Sequence, residues 1–147
     1  MIRRILNYYI KEDKEILQQK SLEVKEINKD IKQLIQDLDE TLKNTQIGRG
    51  ISAVQVGELL RICICMWDSK KYIMINPCII DTRGQQEYKE GCLSVPNVIK
   101  KVSRAQRIIC TFTDENGNKR TINVSGRMAD IIQHELDHLD GISKLYD

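Results

Sequence analysis

The chain is expected to be an α+β protein, with antiparallel strands through its middle, an amphipathic helix before them and a second helix near its C-terminus. Three observations lead there. Residues 24 to 42 repeat apolar side chains at steps of three and four. From Leu59 the pattern shortens to β-rich runs separated by turn formers. After Val124 the helical period returns, in a segment that holds both histidines of the chain.

In the first segment Val24, Ile27, Ile31, Leu34, Ile35, Leu38 and Leu42 form one apolar face, with charged and amide residues between them. Asn28 is the expected N-cap, because its side-chain oxygen can accept a hydrogen bond from a first-turn N–H. The stretch NTQIGRG then ends the pattern. The runs LLRICICMW and KYIMINP read as strands, and RIICTFTD and KRTINV flank ENGN as a hairpin. The final helix is expected from Ser125, its N-cap, to Gly141, which stops it.

At 147 residues the chain suits one domain, residues 1–147, with a core of its own. A net charge of +2 from nearly balanced acids and bases gives no reason to invoke nucleic acid or a membrane surface. The N-terminal MIRRILNYYIKEDKE lacks the apolar run and small-residue site of a signal peptide, so the cytoplasm is the expected address. Of five cysteines, Cys63, Cys65, Cys78 and Cys110 sit in or beside apolar strand runs and are expected in the core as reduced thiols. Cys92 differs: KEGCLSVP surrounds it with glycine and polar residues in a turn-like setting.

The chemistry concentrates in QHELDHLDG. On a helix, positions four apart share a face, so His134 and His138 can aim two imidazoles at one metal ion, and Glu135 can take a proton from a water beside it. The apolar spacing of Met128, Ile131, Ile132, Leu136 and Leu139 buries this helix, and buried histidines need partners. A third ligand is required. Nine residues follow His138 and none is His or Glu, so the downstream ligand of thermolysin-like proteases or metzincins cannot be supplied there. Cys92 is the upstream choice, although by itself it could equally be a free thiol. A thiolate and two imidazoles hold a divalent transition metal and leave one position open.

The blocks GRGISAVQVG, EGCLS and QHELDH, in that order, resemble the three signature blocks of the peptide deformylases, which remove the formyl group from the initiator methionine of nascent chains. EILQQKSLEV, MINPCII, VSR and DENGN also fall where that family has similar segments. The first block departs from the family's usual G-h-G-h-A-A-P-Q, with h apolar, at Arg49, Ser52 and Val54. The resemblance implies a deformylase-like fold, with antiparallel sheets around a central metal-binding helix and the earlier amphipathic helix outside. It implies that Cys92, His134 and His138 bind the metal and that Glu135 is the general acid/base. Gln55 and the backbone N–H of Leu93 would stabilise the oxyanion, while Gly50 presents main chain to the peptide and Gly91 also lies against substrate. The pocket for the methionine side chain would be lined by Arg49, Arg127, Asp130 and Ile131, a polar set whose arginine stems can face the slot while their heads reach solvent. The implied metal is ferrous iron first, with zinc, nickel or cobalt as substitutes. The implied partners are formylmethionyl nascent peptides and the ribosome. Three rivals share part of this set: an HExxH metallopeptidase, which would need the missing downstream ligand, and a deformylase paralogue with altered or no turnover or a thiolate-metal redox sensor, which would keep the three ligands without needing Glu135 and Gln55.

Overall fold

A computed structural model describes residues 1–146. The element order is α1 (Lys11–Leu17), α2 (Lys29–Thr45), β1 (Gly50–Ser52), a 3₁₀ turn (Ala53–Val56), β2 (Ile62–Trp67), β3 (Lys70–Arg83), β4 (Gln86–Cys92), β5 (Val95–Arg104), β6 (Arg107–Thr113), β7 (Lys119–Ser125) and α3 (Gly126–Leu139). The strands form a five-stranded sheet in the order β1-β2-β3-β6-β7 and a separate β4-β5 hairpin, all antiparallel.

The amphipathic segment becomes α2 because Asn28 caps it, its Oδ1 accepting from the Ile31 N–H at 3.0 Å. Its apolar face packs on one side of the large sheet and α3 packs on the other. Strand β2 shows how the two layers are held apart. Ile62 and Ile64 point into the cluster with Leu34, Leu38 and Leu42, whereas Cys63 and Cys65 point into the cluster with Ile132, Leu136 and Leu139. Period-two alternation in a strand covered on both faces puts every β2 side chain from Ile62 to Cys65 in a core. Each large one contributes roughly 1.5–3 kcal/mol. A third cluster, including Leu6, Tyr8, Leu17, Val54, Val95 and Leu145, lies under the β4-β5 hairpin.

Two sequence expectations need correction. KYIMINP continues as β3 beyond Pro77 to Arg83, because a register shift between Ile75 and Cys78 takes the proline out of the regular ladder, where its missing N–H would matter. The same shift changes which side chains face inward, so Cys78 is exposed while Cys63, Cys65 and Cys110 are buried. Helix α1 was not expected from the sequence. It spans seven residues and has no side-chain cap, so it carries neither of the signals that identify α2. Among the described residues no helix is long and apolar enough to cross a membrane.

Candidate metal centre

Helix α3 begins at Ser125, but that side chain makes no capping bond; the turn into the helix comes from Gly126, whose φ is +64° and whose N–H bonds to the Gln106 carbonyl. The helix ends at Leu139. The chain then turns at Gly141, where φ is +75° and a Cβ would meet the Gln18 carbonyl oxygen at 2.5 Å. Between these ends, His134 and His138 stand one turn apart with ring centroids separated by 5.0 Å, and both are buried.

Cys92 reaches them from the hairpin. It is the last residue of β4 and pairs with Val95, so Leu93 and Ser94 make a two-residue turn, and a bulge at Gly91 re-aims the strand end. The turn-like setting inferred from sequence is therefore a strand terminus. Cys92 Sγ lies 3.3 Å from His138 Nε2, and the three ligand atoms of Cys92, His134 and His138 lie within 4.8 Å of one another. Bonds of about 2.0–2.3 Å to a tetrahedral centre place ligand atoms about 3.3–3.8 Å apart, so a small contraction closes this triad on one ion.

The surroundings fit that use. Arg104 donates to Glu90 through Nε at 2.6 Å and Nη2 at 2.9 Å, and it donates to Asp137 through Nη1 at 2.9 Å. Although burial opposes ionisation, the His134 and Arg104 hydrogen bonds hold the Glu90 carboxyl far below its ordinary range. An ionised carboxylate can only accept, so the 2.8 Å contact from His134 Nδ1 to Glu90 Oε1 fixes the proton on Nδ1 and leaves Nε2 free to bind a metal. Burial drives the His138 pKa well below its ordinary value and keeps that imidazole neutral, the form a ligand needs. Glu90 and Arg104 thus form a buried ion pair. Its hold on His134 carries no sequence signal, because it links β4 to α3.

Glu135 is buried beside the triad. Its Oε1 accepts from Ser52 Oγ at 2.9 Å, and burial raises its pKa, against the pull of His134 and the Ser52 hydrogen bond. Gly50 lies against it: a Cβ there would be 2.6 Å from Glu135 Oε2. Gln55 is held at both ends, Oε1 accepting from the Ser52 N–H at 2.9 Å and Nε2 donating to Ser94 Oγ at 3.1 Å. Nε2 is also 3.9 Å from Cys92 Sγ.

A cleft of about 640 Å³ opens over these groups. Arg49, Gly50, Gln55, Gly91, Cys92 and Leu93 line it, together with Arg127, Ile131, His134 and Glu135. Every site residue named from the sequence lines the cleft except His138, which lies beneath it in the triad. Asp130 also lines it, buried, its pKa pushed up to about 7 by burial and by Glu90 beside it. The sequence reading missed Ser52 and Ser94 as partners of Glu135 and Gln55, and Trp67 as the platform under two arginines.

A family model described as polypeptide deformylase matches residues 3–146. Peptide deformylase 2 of Clostridium acetobutylicum is 40% identical over 128 residues, 87% of this chain and 85% of that protein. The peptide deformylase of Dictyoglomus thermophilum is 41% identical over 127 residues, 86% and 82% of the two chains. The crystal structure of Ehrlichia chaffeensis peptide deformylase in complex with actinonin superposes with a TM-score of 0.90 at 34% identity, covering 99% of this chain and 89% of that one. The Legionella pneumophila peptide deformylase structure gives 0.90 at 30% identity, covering 97% and 83%.

Proposed function

The chain belongs to the polypeptide deformylase family, and from that premise we propose that it hydrolyses the formyl group from N-formylmethionyl peptides and releases formate. One observation carries the reading: the Cys92 thiol of the hairpin meets the two imidazoles of α3 in a cleft that also holds the buried Glu135 carboxyl.

Cys92, His134 and His138 would hold one divalent transition ion, which when bound supplies a Lewis acid to polarise the formyl carbonyl and acidify water. The donor set suits iron, zinc, nickel or cobalt, and ferrous iron is the proposed native ion, in keeping with the family resemblance. Glu135 moves the proton. Ser52 holds Oε1, so Oε2 is the oxygen left to take a proton from the attacking water and return it to the leaving amine. Its raised pKa suits a group that must carry the proton in between.

Charge develops on the formyl oxygen. The Gln55 amide has one N–H committed to Ser94, leaving the other for that oxygen, and the Leu93 N–H is the second donor. Strand β1 is the edge of the large sheet, so the backbone at Gly50 can pair with an extended peptide, and Gly91 leaves room on the opposite wall. Ile131 and the stems of Arg49 and Arg127 wall the slot for the methionine side chain. Residues 1–147 act as one catalytic domain in the cytoplasm, on chains leaving the ribosome.

The test is formate release from formyl-Met-Ala-Ser under anaerobic conditions with iron restored, comparing the wild type with Glu135→Gln. Turnover is expected to be lost while the metal is retained. Equal rates in the two proteins would refute the role given to Glu135.

A further inference from the structure

Among the described residues, one charged side chain stands exposed on the rim of the cleft. Ile47, Arg49, Gly91, Pro96, Asn97 and Ile99 are the exposed residues lining the cleft, and Arg49 alone among them is charged. The acidic residues that line it, Glu90, Asp130 and Glu135, are all buried below the rim. Arg127 is half-buried and already engaged, with Nη1 3.1 Å from Asp130 Oδ2 and Nη2 donating to the Lys89 carbonyl at 3.3 Å. No carboxylate among the described residues lies within 4.0 Å of Arg49.

The Arg49 guanidinium is nevertheless held in place. Its Cζ lies 5.2 Å from the centroid of the Trp67 ring, and Arg127 lies 5.9 Å from the same ring. Trp67 is 38% exposed, so the stacked guanidinium keeps solvent access and its N–H donors stay open. A guanidinium already ordered on an aromatic ring loses little side-chain freedom when it meets a carboxylate, and its planar fork matches that group. Arg49 also directly precedes Gly50, the first residue of the edge strand along which a peptide can lie.

We propose that Arg49 is a specificity determinant that selects formylated peptides bearing an acidic side chain in one of the two positions after the formylated residue. The proposal rests on the deformylase reading and deepens it, since it names the substrate subclass of the same site. The buried part of the cleft receives the first side chain, and the stacked guanidinium waits above it for a carboxylate farther along the peptide. An exposed charge pair of this kind gives a preference of about two- to fivefold, which weakens as salt screens it.

The test compares isosteric pairs on the metal-loaded enzyme: formyl-Met-Asp-Ser against formyl-Met-Asn-Ser, and formyl-Met-Ala-Asp against formyl-Met-Ala-Asn. The acidic peptide of at least one pair is expected to have a kcat/KM about two- to fivefold higher at about 50 mM salt, falling toward equality at about 500 mM. In Arg49→Met, which keeps the apolar stem, the ratio should drop to about one, and Arg49→Lys should restore part of it. Each ratio is taken within one protein, so a loss of folded enzyme cancels. Ratios near one in the wild type, or an Arg49→Met ratio equal to that of the wild type, overturn the inference. Absence of formate from all four peptides would instead overturn the deformylase reading beneath it.

Discussion

The Ser52 hydroxyl lies 2.9 Å from Glu135 Oε1 and 3.0 Å from the main-chain oxygen of the same residue, 83 positions along the chain. This contact ties the end of β1 to the helix that bears His134 and His138, and it orients a buried carboxyl. Ser52→Ala leaves Oε1 without its hydrogen-bond donor in a dry site, a loss of roughly 1–3 kcal/mol in the arrangement that has to be reached. The expected result is a kcat about tenfold lower, with KM and metal content nearly unchanged and with partial recovery in Ser52→Thr. An unaltered kcat in the alanine variant would show that packing alone orients Glu135.

Gly50 is required for a reason separate from peptide pairing. A Cβ at that position would be 2.6 Å from Glu135 Oε2 and 2.9 Å from its Cγ. The Glu135 side chain is enclosed, so it cannot step aside without disturbing α3. Gly50→Ala is therefore expected to reduce turnover by at least about a hundredfold while the protein still folds and binds metal, because a displacement near 1 Å is costly at a reacting centre. Retention of near wild-type rates, measured as formate release, would mean that the helix yields more readily than its packing implies.

The parts legible in the sequence are those governed by local pattern. Asn28 and the three- and four-residue steps after it announce α2, and HExxH on a buried helix announces two candidate ligands and a candidate base. Cys92 could be found by elimination because the other cysteines lie in apolar strand runs. The parts that were not legible depend on pairing between distant segments. The bulge that exposes Cys78, the Ser52 contact with Glu135, and the Glu90 carboxylate that sets the His134 tautomer each join elements with no sequence relation. Arg49 shows the boundary between the two. Its departure from an apolar family position is visible in the sequence, but the ring that holds it, Trp67, is reached only through the pairing of β1 with β2.

Metal binding should be coupled to stability. The candidate triad brings together the β4-β5 hairpin and α3, which also meet through the Glu90, Arg104 and Asp137 network and through Gln86 and Arg127. A ligand that binds only the folded chain stabilises it by about 4 kcal/mol at a thousand times its Kd. Removing the metal with a chelator is expected to lower Tm by several degrees, and stoichiometric iron or zinc should restore it. In Cys92→Ser the chelator-dependent shift should nearly vanish. A wild-type Tm indifferent to chelator and added metal would argue against a bound ion at this site.

Acid sensitivity has a traceable source in the N-terminal segment. Asp13 is buried in the first turn of α1, accepts from Arg4 Nη1 at 2.7 Å and Nη2 at 2.9 Å, and accepts from the Asn7 N–H at 2.9 Å. These bonds fix the segment that carries Leu6 and Tyr8 to the wall of the site, where Leu6 N–H donates to the Gln55 carbonyl and Tyr8 N–H to the Ser94 carbonyl. The Arg4 hydrogen bonds, aided by the Asn7 N–H and opposed by burial, pull the Asp13 pKa from 3.8 down to about 2. A carboxyl whose folded pKa lies below its unfolded one stabilises the fold above the unfolded value, and the contribution disappears as pH falls through the folded value. Because the Arg4 side chain is 65% exposed, solvent screening reduces the contribution to roughly 1 kcal/mol. The stability gap between wild type and Asp13→Asn is therefore expected to be widest at pH 6, to narrow by about half by pH 3, and to close near pH 2. Urea midpoints of the two proteins at pH 6 and pH 3 measure it, and a gap that does not change between them would locate the acid response in a different carboxylate.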